Sequence, residues 1–208
     1  MRVLVLGATG GTGKEIVHQA IDRKHEVTAM VRSPERLGEL RDLVQVREGN
    51  LLNTIELAAS LRGQDAVLSA FGPRVPIARN EEHLLEEFAI ALVAAMKQAE
   101  VKRVLVESSA FLFKKAIFPP TYLLGRLLFS SVVKDATAME RHFRQSGLSW
   151  TLLRPPRLTD GALSRKYRVR IGKLPVSGFT ISRADVADCF LKSLEDDNTI
   201  GEIVGLSC

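Results

Sequence analysis

The chain has 208 residues, enough for one well-buried core and too few for two comfortable domains. Hydrophobic residues at 46% and charged residues at 25% describe an ordinary globular protein, and no repeat or low-complexity tract points to a solenoid or to disorder. The net charge of +5 is dispersed and aromatics are only 6%, which argues against a nucleic-acid surface, where basic patches and stacking platforms are needed.

In chain order, residues 2–7 (RVLVLG), 26–32 (EVTAMVR), 43–48 (LVQVRE), 65–72 (DAVLSAFG), 103–108 (RVLVES) and 149–155 (SWTLLRP) are short apolar or β-branched runs bounded by Gly, Pro or charge. They read as strands. Helical spacing lies between them: Ile16, Val17, Ala20 and Ile21; then Leu84, Leu85, Phe88, Leu92 and Met96; then Val132, Ala136, Met139 and Phe143. Ser182 to Asp185 (SRAD) offers a capping box for a helix carrying Val186, Phe190 and Leu194, and GEIVGL at 201–206 a last strand. Strands that alternate with helices and stay apolar along their length predict an α/β fold: a doubly wound parallel sheet of Rossmann type, in one domain over 1–208, with helices on both faces. The most apolar stretch, 117–133, contains Pro119, Pro120 and Arg126 and is too interrupted to span a bilayer. Two cysteines, Cys189 and Cys208, and an amino terminus unlike a secretion signal fit a reducing, cytoplasmic setting.

The run GATGGTG from Gly7 to Gly13 falls between the first predicted strand and the first predicted helix. Gly7, Gly10 and Gly13, with Thr9, Gly11 and Thr12 between them, suit a tight turn, a close approach to a pyrophosphate and close helix packing. Lys14 is followed by Glu15, so the hydroxyl that holds magnesium in a Walker-type loop is missing. At the tip of the second strand, Asp or Glu would read the ribose hydroxyls of NAD. Here stand Arg32, Ser33 and Arg36, a set suited to the 2′-phosphate of NADP. NADPH is the expected cofactor, and no metal cluster is apparent.

These residues, together with VRSPERL at 31–37, SSAFLF at 108–113 and SGLSWTLLRPPRLTDG at 146–161, resemble the atypical short-chain dehydrogenase/reductase family. Within it the chain is similar to the compact NAD(P)H-binding branch of the biliverdin/flavin reductases. The resemblance implies Asn50 and Leu51 at the adenine, Gly72 and Arg74 near the central phosphates or ribose, and Ser108, Ser109, Pro155, Pro156 and Arg157 around the nicotinamide. Asn50 stands where the family usually has Asp, and Arg157 where the biliverdin reductases have His.

The Tyr-x-x-x-Lys pair typical of this superfamily is not intact: Tyr122 is followed four residues on by Arg126, and Lys134 is preceded four residues back by Ser130. The biliverdin/flavin reductases also lack the tyrosine, which implies catalysis by positioning, with hydride passing to a flat conjugated acceptor. Ser109 is the best polar participant, and FMN or FAD enters only as a substrate. Segments 111–130, with Phe111, Phe113, Phe118, Tyr122 and Phe129, and 157–180 are expected to cover the acceptor. Arg74, Lys114, Lys115, Arg126 and Arg157 would ring it with positive charge. The expected partner is a small-molecule acceptor, with no nucleic acid and no membrane, for a monomer or small homo-oligomer. A non-enzymatic NADP(H)-binding regulator or redox sensor, as in the NmrA-like branch, is the alternative.

Overall fold

The computed structural model describes residues 1–73, 83–113 and 130–208. An eight-stranded sheet is built from β1 (Arg2–Leu6), β2 (Glu26–Val31), β3 (Gln45–Glu48), β4 (Ala66–Ser69), β5 (Arg103–Glu107), β6 (Ser149–Arg154), β8 (Arg168–Ile171) and β10 (Glu202–Ser207), in the order β3-β2-β1-β4-β5-β6-β10-β8. All neighbours are parallel except β8, which runs antiparallel along β10. β7 (Arg157–Thr159) and β9 (Thr180–Ser182) form a separate parallel pair. The chain winds outward from β1 through β2 to β3 and then returns to β4 on the other side of β1. The winding therefore reverses between β1 and β4, and that switch point opens a crevice at the carboxyl ends of the strands.

Helices α1 (Gly11–Asp22) and α5 (Arg183–Glu195) pack together on one face. Helices α2 (Thr54–Leu61), α3 (Leu84–Gln98) and α4 (Ser130–Gln145) cover the other. Alternate residues of β1 divide between the two cores: Val3 and Val5 join Ile16, Val17, Ala20 and Phe190, while Leu4 and Leu6 join Phe88, Leu92, Met139 and Phe143. The apolar periodicities of α1, α3, α4 and α5 thus fall on the faces that the sequence predicts. Strands apolar on both sides are what a doubly covered parallel sheet requires.

The structure adds elements to the sequence reading and trims others. β4 ends at Ser69, and Ala70 to Gly72 leave the sheet at the crevice. β3 begins at Gln45, after a 3₁₀ segment at Pro34–Asp42. α2 is only eight residues long, too short to show periodicity, and is fixed by Asn53, whose side-chain oxygen accepts from the Ile55 and Glu56 N–H groups. The expected capping box at α5 forms in part: Ser182 Oγ accepts from the Asp185 N–H at 3.0 Å, while the Asp185 carboxylate reaches out to the Ser164 and Arg165 N–H groups. In this way Asp185 ties the 160s loop to α5.

One helix is capped by another. His83 precedes α3 in a left-handed conformation and supplies no side-chain cap. Instead Asp135, buried on α4, accepts from the Leu85 and Glu86 N–H groups, each at 2.9 Å. Its charge also lies at the favourable end of the α3 dipole. Asp135→Ala is expected to lower stability by about 1–2 kcal/mol, the usual loss for a helix cap. Thermal unfolding would read this as a drop of several degrees, whereas an unchanged midpoint would mean that the cap contributes nothing.

Candidate functional site

The turn from β1 into α1 lies at the switch point. Gly7 adopts φ +81°, and a Cβ there would come within 2.6 Å of the Ala70 carbonyl oxygen, beyond the end of β4. A Cβ on Gly13 would land inside the van der Waals shell of the Gly7 carbonyl, so α1 sits closer to β1 than any side chain would allow. Gly10 differs. Its backbone is extended, it is exposed, and its Cβ position meets only the Gly7 oxygen, at 3.3 Å. The open space there faces the amino terminus of α1.

That terminus has no side-chain cap and no acid in its first turn. By contrast, α2 is capped by Asn53, α3 by Asp135 and α5 by Ser182. An uncapped helix start carries orphan N–H donors and a partial positive charge, a combination that suits a phosphate anion. Thr9 is partly buried and Thr12 only 5% exposed, the latter turned inward to Glu107. The residues therefore fit a dinucleotide pyrophosphate, with Gly10 leaving room and the first turn of α1 donating.

At the end of β2, Arg32 and Arg36 are exposed and Ser33 partly buried. Neither guanidinium forms an ion pair among the described residues. Across from them, Leu51 is buried with Leu4, Met30 and Leu57. Asn50 is engaged locally: its side-chain oxygen accepts from the Leu52 N–H at 3.1 Å, and its N–H donates to Glu56 at 2.6 Å. Gly72 is exposed with open space around it, and Arg74 lies outside the described residues.

The carboxyl ends of β5 and β6 hold the residues expected near the nicotinamide. Ser108 donates its hydroxyl to Glu140 Oε1 at 2.6 Å, and Glu140 pairs with Arg154, whose guanidinium lies 4.6 Å from the centre of the Phe113 ring. Both ions of this pair are at least nine-tenths buried. Ser109 Oγ accepts from the Phe111 N–H at 3.3 Å, and the Ala110 N–H donates to the Pro155 carbonyl at 3.0 Å. Pro155 is buried, Pro156 partly buried, and Arg157 exposed at the start of β7. Ser108 is thus drawn into the α4 side, whereas Ser109 stays partly exposed at the crevice. Phe118, Tyr122 and Phe129, like Lys114, Lys115 and Arg126, lie outside the described residues. The one described tyrosine, Tyr167, donates to Asp188 at 2.6 Å; burial and that bond push its ionisation up.

Two charged residues at this site are not apparent from motif reading. Glu107 ends β5 half-buried beside the glycine turn, where Thr12 donates a long 3.4 Å hydrogen bond. Burial pushes it up to about 7, against the smaller opposing pull of that bond and of the Arg183 charge. Its sequence signal is an acid closing an otherwise apolar strand. Arg183, the first residue of α5, lies over Gly11 and pairs with Asp160. Nothing in local sequence brings it there, because its position depends on α5 packing against α1.

Residues 7–197 match the NAD(P)H-binding family, to which the chain belongs. The YwnB protein of Bacillus subtilis is 31% identical, over 94% of this chain and 92% of that protein. The photosystem II assembly factor Ycf39 of Synechocystis is 28% identical over 79% of this chain, which spans about half (47%) of that relative's length. Among solved structures, a Rossmann-fold NAD(P)-binding family protein from Shigella flexneri superposes with a TM-score of 0.78 at 25% identity, covering 99% of this chain and 92% of that one. No helix among the described residues is long and apolar enough to cross a membrane.

The Glu107 environment predicts a pH dependence. An acid whose folded value lies above its ordinary 4.5 favours folding while both states are protonated, and that contribution is lost as pH rises from about 4.5 to about 7. Glu107→Gln cannot ionise, so it is expected to gain stability relative to the parent across that window, with the gap levelling off above pH 7. Parallel melting-temperature profiles for the two proteins from pH 4.5 to 8 would contradict this assignment.

Proposed function

We propose that this member of the NAD(P)H-binding family is an NADPH-dependent reductase of a conjugated acceptor such as a flavin, a tetrapyrrole or a quinone. The observation that carries the reading is the open glycine cradle at the switch point, flanked at the tip of β2 by two guanidiniums that have no carboxylate partner among the described residues. A carboxylate at that tip would favour the free ribose hydroxyls of NADH; Arg32 and Arg36 favour a 2′-phosphate. The resemblance to the biliverdin/flavin reductases supports the acceptor class.

The cofactor, when bound, supplies a hydride from C4 of its nicotinamide, and one proton from water or a modest donor completes the two-electron reduction. The work left to the chain is placement. The first turn of α1 donates to the pyrophosphate, with Gly10 giving it access. Leu51, buried beside Met30, gives the adenine an apolar wall. Glu140, bound by Arg154 at the end of β6 and by the Ser108 hydroxyl beyond β5, joins the Ala110–Pro155 bond in stitching the two strand ends together, which holds the Ser109 hydroxyl at the crevice. There Ser109 can hydrogen-bond the cofactor or the acceptor. No phenol is required for an acceptor that takes hydride readily, so geometry supplies most of the rate.

A second reading is an NADP(H)-binding regulatory or assembly protein. The likeness to an assembly factor favours it, as does the engagement of the Ser108 hydroxyl within the protein. NADPH oxidation measured with FMN, FAD, biliverdin and menadione separates the two: turnover with at least one acceptor supports the reductase, and tight NADPH binding with background oxidation throughout supports the regulator. Arg32→Ala is expected to weaken NADPH by about tenfold or more and leave NADH nearly unchanged, because charge-assisted bonds to a phosphate contribute about 1.5–3 kcal/mol. Equal weakening of both would show that Arg32 does not read the 2′-phosphate.

A further inference from the structure

Arg183 follows the α5 cap Ser182 directly, and its side chain turns across to α1 instead of out to solvent. A Cβ built on Gly11 would lie 2.5 Å from Arg183 Cδ and 2.7 Å from its Nε. Gly11 is therefore small for a different reason from Gly7 and Gly13: the Arg183 stem fills the space that its side chain would take. This packing brings the guanidinium beside Gly11, the first residue of the uncapped α1, with its Cζ 3.5 Å from a Cβ built there. The same charge is felt by Glu107 on the far side of the turn.

The partner of Arg183 is Asp160, just beyond β7. The acid side chain is 89% exposed and the base 29%. A pair so open to water contributes little to stability and exchanges readily. A pyrophosphate seated on the first turn of α1 is a stronger competitor, because it carries more charge and offers several acceptor oxygens to a planar guanidinium.

We propose that Arg183 is a further dinucleotide-binding residue, one that grips the pyrophosphate common to NADPH and NADH, and that Asp160 competes with the pyrophosphate for it. The inference rests on the cradle reading of Gly7–Gly13 and assigns the cradle a side-chain cation from the opposite end of the chain. It divides the labour between two arginines. Arg32, at the tip of β2, discriminates between the dinucleotides, while Arg183 binds both alike. It also links Asp160 to cofactor occupancy, since Asp160 loses its ion pair with α5 when Arg183 turns to the phosphates, while β7 stays paired with β9.

The test is a set of binding titrations on the full chain with NADPH, NADH and adenosine 2′-monophosphate, which lacks the pyrophosphate. Arg183→Met keeps an unbranched stem against Gly11 and removes the charge. It is expected to raise the Kd of NADPH and NADH by the same factor, about 10- to 100-fold, and to leave adenosine 2′-monophosphate unchanged. Asp160→Asn frees the guanidinium and is expected to tighten both dinucleotides severalfold, an effect that a merely structural ion pair would not produce. Unchanged dinucleotide affinity in Arg183→Met, equal weakening of adenosine 2′-monophosphate, or weaker binding in Asp160→Asn would each overturn the proposal. A parent protein that binds neither dinucleotide would overturn the cradle reading itself.

Discussion

The passage from β1 into α1 leaves no room for a side chain at either end. Gly7 faces the Ala70 carbonyl and Gly13 the Gly7 carbonyl at distances where a Cβ cannot fit, so the first turn of α1 is pressed against the sheet at the point where the winding reverses. This close approach aims the orphan N–H groups of α1 into the crevice beyond the strands. Of the three spaced glycines of this turn, Gly10 alone faces open space, its Cβ position meeting a single atom, the Gly7 carbonyl oxygen, at 3.3 Å. The same compactness brings Glu107 behind the turn and Arg183 alongside it, and the rest of the site is arranged around that one junction.

The charges around the junction act in different ways. Arg32 and Arg36 are exposed and without ion pairs among the described residues, as suits groups waiting for a ligand phosphate. Arg154 is the opposite case: a buried cation engaged by Glu140, it ties the end of β6 to α4. Arg183 lies between these extremes, half committed to an exposed acid. Burial of Glu107 raises its ionisation to about 7, which weakens the negative charge it would otherwise place near a pyrophosphate.

Much of the fold is legible in the sequence because its main signals are local. Seven strand runs, four helical periodicities and the glycine turn appear where residue type alone places them, and the parallel sheet follows from apolar strands alternating with helices. What was not legible depends on tertiary contact. Arg103 reads as a charge at a strand boundary, yet it is buried and bonded to the Ser149 and Ser193 carbonyls and to Thr151 and Thr199. The cap of α3 comes from Asp135, some 50 positions along the chain. β8 alternates Arg with Val and Ile and stays exposed at the sheet edge, so it lacks the apolar run that marks the other strands. Within the site, the glycines and Arg32 were visible by spacing, whereas Arg183 and the turning of Ser108 toward Glu140 required the packed structure.

Everything proposed for this site requires that a dinucleotide pyrophosphate can sit on the first turn of α1, above Gly10. Gly10→Asp tests this requirement most directly. The Gly10 backbone is extended and a Cβ there needs only a small shift from the Gly7 carbonyl oxygen at 3.3 Å, so the fold is expected to survive, while the new carboxylate would occupy and repel the phosphate position. The variant is expected to keep the parent's melting temperature and circular dichroism and to show no measurable NADPH binding in a calorimetric titration. A folded Gly10→Asp protein that binds NADPH as tightly as the parent would contradict it.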